Sequence, residues 1–443
     1  MERGDILVGY TELINQFTDY FRSNEKKEEE FKMGIEVEHF VVDKDSLRTI
    51  SYYGKNGVAE TLKELVQKGW QGSYEGEYIL GANAKTKYVT LEPGSQLELS
   101  IAPQESIEDL EKEYFDFIHE IIPILEEKNQ ALVTVGYHPI SKIEDIRLIP
   151  KKRYDYMYEY FKSKGMYAHN MMKGTASFQI AIDYSSEKDY IKKFQVASAL
   201  SPVLYAIFDS GYYFEGAIWE KYSLRSVIWE NCDRVRSGIV PGVFDDDFGY
   251  RKYAEYILNI PPIFIYDGKT TYPTGEKLVR EIFDGRLLSV EELEHVLTMV
   301  FPDVRTKKYI EIRMMDAVPY PLNFSAVALI KGIMYNRENL NTVYEFVKDL
   351  NEEDIQEAKR SIVEKGLEGK VREMKIYEIG NSLLDLAKKG LKIKELKYME
   401  PLESMLREKK NPYQLIKEKD YLGRKESLSW CILNNILINM SKL

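Results

Sequence analysis

The chain has little of what many catalytic centres are built from. Of its 443 residues only two are cysteines, Cys232 and Cys431, far apart and without a CxxC spacing, so a disulfide framework and a zinc–thiolate site are excluded. The five histidines, His39, His119, His138, His169 and His295, form no HxH or HxxxH pair, and no histidine-built metal centre is expected. Neither a GxxxxGK[ST] loop nor a GxGxxG fingerprint occurs, which removes the commonest nucleotide-binding loops. There is no run of about eighteen apolar residues, and residues 1–20 lack a basic segment followed by an apolar stretch. A soluble, cytoplasmic protein with no membrane partner is the expectation. With 61 Lys and Arg against 72 Asp and Glu, the net charge of −11 argues against nucleic acid as a partner. Any metal must then be a hard ion held by oxygen.

Glutamates are what the sequence has instead, in telling places. In GIEVEHF, residues 34–40, Glu36 and Glu38 alternate with Ile35 and Val37 at the period of a β-strand and so share a face, their Cα atoms about 6.5 to 7 Å apart. Glutamate is a poor strand former, so two anions side by side need a reason. In QLELS, Glu98 shares a face with Gln96 while Leu97 and Leu99 take the other; Glu92 stands just before the turn signal Pro93-Gly94. In YIEIRMM, Glu311 and Arg313 lie opposite Ile310 and Ile312, and in SFQIAID, Gln179 opposes Phe178 and Ile180. An antiparallel sheet with one solvated face would read this way too. Five glutamates from three segments would, however, repel one another if those strands paired. Mg²⁺ or Mn²⁺ would remove the repulsion and leave positions for water and substrate phosphates, which makes the sheet a platform for ATP chemistry working through metal instead of a phosphate loop.

The rest of the pattern predicts a helix within residues 1–30, a strand at 33–42 and a helix at 57–69. Short strands follow around EYILGA and KYVTLEPGSQLELS, then a long helix over 105–128 and a buried strand in ALVTVGYHP. TASFQIAIDY reads as a strand, 187–211 as a helix, SLRSVIW (223–229) as another strand and 307–314 as one more. From 322 the chain is mostly helical, with a turn at Lys410-Asn411-Pro412. A compact α+β body with a helical C-terminal part is the simplest architecture.

Several segments, in this order, carry a resemblance: GIEVEHF, SYEGEYILG, VTLEPGSQLELSIAP, IPKKRYDYM, SFQIAIDYSSE, SLRSVIW, PGVFDDDFGY and FPDVRTKKYIEIRMMD. Over roughly residues 30–340 the chain resembles glutamate-cysteine ligases of the plant and proteobacterial type, within the glutamine-synthetase-like carboxylate-amine ligases. The resemblance implies a curved antiparallel β-sheet forming an active-site trough with helices packed behind it, a catalytic domain at 1–340 and a helical region at 341–443 on the same body. It implies Mg²⁺, with Mn²⁺ as the alternative, held by Glu36, Glu38, Glu92, Glu98 and Glu311. Gln179 matches the metal and nucleotide region and Arg313 a catalytic phosphate contact. Arg225 matches a catalytic and donor-binding arginine, with Trp229 beside it and Arg153 in a basic segment near the same site. ATP, L-glutamate and L-cysteine are the implied substrates, joined through a γ-glutamyl phosphate. Such chemistry needs positioning and charge neutralisation, not a nucleophilic side chain.

Two departures from the family pattern stand near the substrates: Ala181, where an asparagine is usual, and MMDAVPYPLN after Arg313. A ligase with another amine acceptor and a non-catalytic glutamate-binding relative are the alternatives. Among single residues, Asp245–Asp247 read as a solvated turn, His39 as packed on the face opposite Glu38, and Cys232 as an inert buried thiol.

Overall fold

A computed structural model describes residues 9–266 and 270–440; residues 1–8, at the start of the first expected helix, lie outside the described residues. Nine strands make the main sheet: β1 (Met33–Asp43), β2 (Gln71–Glu75), β3 (Tyr78–Ala84), β4 (Lys87–Leu91), β5 (Leu97–Gln104), β6 (Gln130–Val133), β7 (Phe178–Ile182), β8 (Val304–Thr306) and β9 (Ile310–Ile312). The order is β8-β9-β7-β1-β5-β4-β3-β2, antiparallel throughout, with β6 on the second half of β1. Strand β1 therefore changes neighbours: Met33–Val37 pair with β7 and Phe40–Asp43 with β6, and the changeover falls at Glu38 and His39.

The alternation of β1 decides which face is which. Ile35, Val37 and His39 are buried towards the helices, while Glu36 and Glu38 are half-buried on the other side. His39 donates from Nδ1 to the Leu97 carbonyl at 3.0 Å and lies against Tyr114. Burial pushes its pKa down to about 4, so it is a neutral core residue, as the alternation predicts.

Eight helices position the sheet and the site: α1 (Tyr10–Ser23), α2 (Val58–Gln67), α3 (Ile107–Glu127), α4 (Lys152–Phe161), α5 (Ala168–Gly174), α6 (Leu224–Glu230), α7 (Leu322–Met334) and α8 (Ile376–Gly390). Helix α3 backs β5 and β6 with the stripe Leu110, Tyr114, Phe117, Ile121 and Leu125, and Ser106 caps it by accepting the Asp109 N–H at 3.1 Å. Each large side chain so buried contributes roughly 1.5–3 kcal/mol of apolar transfer. Helix α7 is buried almost all round because α8 covers it, and Gly332 is required there: a Cβ would overlap the Ala387 carbonyl. The main hydrophobic core runs from Leu13 to Leu433; a smaller one holds Phe40, Val42, Val133 and Ile432, where the chain returns to the sheet and Val133 bridges to Ile432.

Four expected elements come out differently. SLRSVIW is not a strand but helix α6, with Leu224, Arg225 and Ile228 buried at helical spacing; a short run with β-branched residues is ambiguous between the two periods. Of the stretch 307–314 only Ile310–Ile312 is strand, the second arm of a hairpin whose first arm is β8 and whose turn is Lys307–Tyr309, which sets Arg305 directly opposite Glu311. Of the expected strand in 131–139 the ladder takes residues 131–133, with Tyr137 making an isolated bridge to Thr175, and the helix over 187–211 breaks at Leu200, with Pro202 in the first turn of the next helix.

Candidate active site

A cavity of about 280 Å³ lies over the acidic face of the sheet, lined by β1, β4, β5, β7 and the hairpin below and by α4, α5 and α6 above. Its floor is set by strand register. Glu38 lies opposite Glu98, Glu98 opposite Thr90, and Glu36 opposite Gln179 on one side and Ser100 on the other. Nine of the ten residues singled out in the sequence line this cavity: Glu36, Glu38, Glu92, Glu98, Arg153, Gln179, Arg225, Trp229 and Arg313. Glu311, the tenth, stands apart: it is 1% exposed and does not reach the cavity.

The carboxylates fall into two electrostatic classes. Glu311 meets Arg305 at 2.7 Å, Lys307 at 2.8 Å and Arg313 at 2.8 Å, and these three cations hold its carboxyl well below the usual range against the opposing effect of burial. It therefore already has its counter-charges from the chain. Among the described residues no ion pair reaches Glu36, Glu38, Glu92 or Glu98. Glu38 accepts from the Ser177 N–H at 2.7 Å and hydroxyl at 3.0 Å, yet burial and then the Glu92 charge push it up to about 7. Burial, followed by the charges of Glu36, Glu92 and Glu38, drives Glu98 well above its ordinary value, and Glu36 is raised by burial first, with Glu311 adding to it against Lys307. No three acidic or imidazole side chains among the described residues are close enough to cage an ion unaided.

The arginines present free edges. Arg225 donates from Nη1 to the carbonyls of Met314 (3.0 Å) and Met315 (2.9 Å) and pairs with Asp316, but its buried Nε has no partner. Arg313 donates from Nη1 to Gln179 Oε1 at 2.5 Å and to Glu311, and its buried Nε is also unpartnered; so is that of Arg153. Because α6 is a helix, Arg225 and Trp229 are one turn apart and both face the cavity, where Trp229 packs near Phe301 at 6.2 Å. Asp245–Asp247 form an exposed turn, and Cys232 is buried, its thiol pushed up to about 12.

The sequence reading missed Arg305, Lys307, Lys151, Tyr154 and Ser177. Tyr154 donates to Glu92 at 2.9 Å, and Lys151 lies 3.5 Å from the Tyr154 hydroxyl. Arg305 and Lys307 were findable, since the two lysines before YIEI mark a turn that folds Arg305 back on Glu311. Of the two departures, Ala181 lies beside Glu311 and off the cavity, whereas MMDAVPYPLN supplies the carbonyls that hold Arg225.

The sequence pattern of glutamate-cysteine ligase family 2 (GCS2) matches residues 32–425. The chain is 30% identical over 398 residues, 87% of its length and 80% of the relative's, to the chloroplastic glutamate–cysteine ligase B of Oryza sativa subsp. japonica. It is 31% identical over 399 residues, 88% and 77% of the two lengths, to the chloroplastic glutamate–cysteine ligase of Brassica juncea. Among solved structures, a glutamate–cysteine ligase from Francisella tularensis in complex with AMP shares the fold at TM-score 0.57 and 13% identity, covering 90% of this chain and 87% of that one. The relatives' chloroplastic names overturn the expectation of a cytoplasmic protein. That expectation rested on the lack of an apolar leader, a test that is blind to organelle transit segments, which are amphipathic and not apolar. The match across 32–425, with the antiparallel sheet and its acidic floor, places the chain in glutamate-cysteine ligase family 2.

Proposed function

We propose that this protein joins the γ-carboxylate of L-glutamate to the amine of L-cysteine at the expense of ATP, giving γ-glutamylcysteine, ADP and phosphate. The observation that carries the reading is the pairing of opposites in one cavity: four carboxylates on the floor that, among the described residues, make no direct ion pair, and three arginines with unpartnered buried Nε groups around it. A single polar ligand of either sign would satisfy half of that. A nucleotide triphosphate, an amino-acid carboxylate and a divalent cation together satisfy all of it.

The donor set fits a hard ion, since half-buried carboxylates gathered on one face lose their repulsion when a dication arrives. We assign Mg²⁺, or Mn²⁺, to the floor formed by Glu36, Glu38, Glu92 and Glu98, with substrate phosphates and water completing a shell these side chains would not close unaided, and give Glu311 a different part: fixing Arg313. When bound, the ion supplies charge neutralisation at the phosphates. Arg225 takes the donor's α-carboxylate through its Nε and Nη2 edge, with Trp229 as an apolar wall. Arg313, oriented by Gln179 and Glu311, meets the phosphoryl group in transfer. Arg153 provides a further cation for substrate on the α4 wall. The γ-carboxylate oxygen attacks the γ-phosphorus as ADP leaves; the cysteine amine then attacks the acyl carbon, phosphate departs and the amine loses a proton. No side-chain nucleophile is needed, in keeping with the high pKa of the Cys232 thiol.

Product mass spectrometry after incubation with glutamate, ATP, Mg²⁺ and an equimolar mixture of cysteine, alanine and 2-aminobutyrate tests the reading. Dominant γ-glutamylcysteine supports it. Another dominant γ-glutamyl amide keeps the ligase class and rejects the acceptor, and no product at all favours the non-catalytic alternative.

A further inference from the structure

Arg225 is well held through its Nη groups, while its Nε has no partner. Arg225 and Asp316 are each 2% exposed. Nη1 faces the Met314 and Met315 carbonyls and Asp316 Oδ1 at 3.3 Å, and Nη2 lies 3.5 Å from the Arg313 carbonyl. Asp316 is itself anchored, for its Oδ2 accepts from the Ser210 N–H at 2.8 Å and the Ser210 hydroxyl at 3.1 Å. Gly136 packs against the same carboxylate so closely that any Cβ there would overlap it, and its N–H donates to Ser210 Oγ at 2.8 Å. Asp316 also bridges in backbone to Ser177, whose N–H and hydroxyl hold Glu38.

We propose that Asp316, anchored by Ser210 and given room by Gly136, is a positioning residue for donor recognition, fixing the Arg225 guanidinium so that its Nε and Nη2 edge stays turned to the donor carboxylate. The inference rests on Arg225 as the donor's carboxylate site. A flexible arginine pays side-chain entropy for every bidentate contact, and a guanidinium already pinned on its far edge does not. Position and charge make opposite predictions here. Asp316 is a counter-charge to Arg225, so if only Coulomb attraction mattered its removal would tighten glutamate binding; if orientation matters, removal loosens it.

The substitution Asp316→Asn separates these. Its amide must turn an NH₂ group towards either Ser210 N–H or Arg225 Nη1, both donors, so one anchor breaks whichever way the amide lies. The expected result is a rise of about tenfold in the glutamate KM, the size of one charge-assisted hydrogen bond, with the MgATP KM unchanged and kcat at saturating glutamate within about threefold. In an Arg225→Lys background the same change should add almost nothing, because Asp316 acts only through Arg225. A glutamate KM that falls or stays constant, a parallel rise in both KM values, or additive effects in the double variant would each overturn the proposal. Arg225→Lys alone with an unaltered glutamate KM would instead sink the donor-site reading beneath it. Should Asp316→Asn not fold, Ser210→Ala removes one anchor and spares the ion pair. It should raise the glutamate KM by about two- to threefold, and no change in that value would equally overturn the proposal.

Discussion

Two parts of one sheet face treat the same residue type in opposite ways. At the β8–β9 hairpin, Glu311 has three cations within 2.8 Å and is held ionised. Further along the sheet, Glu38 stands opposite Glu98 and, among the described residues, neither is in an ion pair; both are pushed towards the neutral form, although the Arg225 charge opposes this at Glu38. Burial raises both sets, so burial does not distinguish them. The difference is in the direct ion pairs: the chain provides them at Glu311 and not, among the described residues, at Glu36, Glu38, Glu92 and Glu98, where the proposed function would have a bound cation supply the charge. A folded protein tolerates an uncompensated carboxylate cluster only at a stability cost, which is why such clusters concentrate at functional sites.

The largest expected effect is on turnover. Glu36→Gln keeps side-chain size and removes one ligand charge, and should lower kcat by two or more orders of magnitude, roughly 3 kcal/mol of transition-state stabilisation, with the circular dichroism spectrum unchanged. Near-normal activity would break the contrast at its ligand-facing end. Stability should then move in opposite directions at the two places. Glu311→Gln leaves three cations around a neutral amide and should cost about 3 kcal/mol in urea unfolding, whereas Glu98→Gln relieves repulsion and should leave the metal-free protein as stable as before or more so. Equal losses in both would erase the distinction.

The pH dependence sharpens it further. The folded pKa of Glu38, raised to about 7 from an ordinary 4.5, means that the folded protein holds this proton after the unfolded chain has lost it. Its contribution to stability is complete below about pH 4.5 and falls away as the pH rises towards 7. Glu311, with its folded pKa depressed, does the reverse: its contribution is present above the ordinary carboxylate range and is lost as the pH falls. Melting temperature against pH without metal should thus decline between about 4.5 and 7 in the parent and more weakly in Glu38→Gln, and Mg²⁺ with ATP should flatten the parent's decline. A parent and variant with the same slope would count against an uncompensated Glu38. The smallest effect concerns the thiols. Cys232 and Cys431 are buried, and mild oxidants or reductants should leave activity unchanged.

Much of this floor was legible from the period of two alone. GIEVEHF, QLELS and SFQIAID each turned out to place an apolar set on the helices and polar side chains on the cavity, YIEIRMM brings only Arg313 to it, and His39 fell on the face that alternation assigns it. Which glutamates are neutralised was not legible, because that depends on a hairpin register bringing Arg305 opposite Glu311. The orientation of Arg225 was hidden for a related reason. A strand would have separated Arg225 and Trp229 by four residues of extended chain on one face, whereas helix α6 stacks them, and the carbonyls that hold Arg225 come from residues 314 and 315, about ninety positions away. Local pattern reports faces; long-range pairing decides charge.

Isothermal titration of ATP with Mg²⁺ present, against ATP in chelator, bears most directly on the division between chain-compensated and ligand-compensated carboxylates. If Glu36, Glu38, Glu92 and Glu98 await a cation, ATP should bind at least about tenfold more tightly with Mg²⁺ than without, and at pH 7 binding should release protons from Glu38 and Glu98, visible as a heat that changes with buffer ionisation enthalpy. Equal affinity in the two titrations, with no proton release, would contradict it.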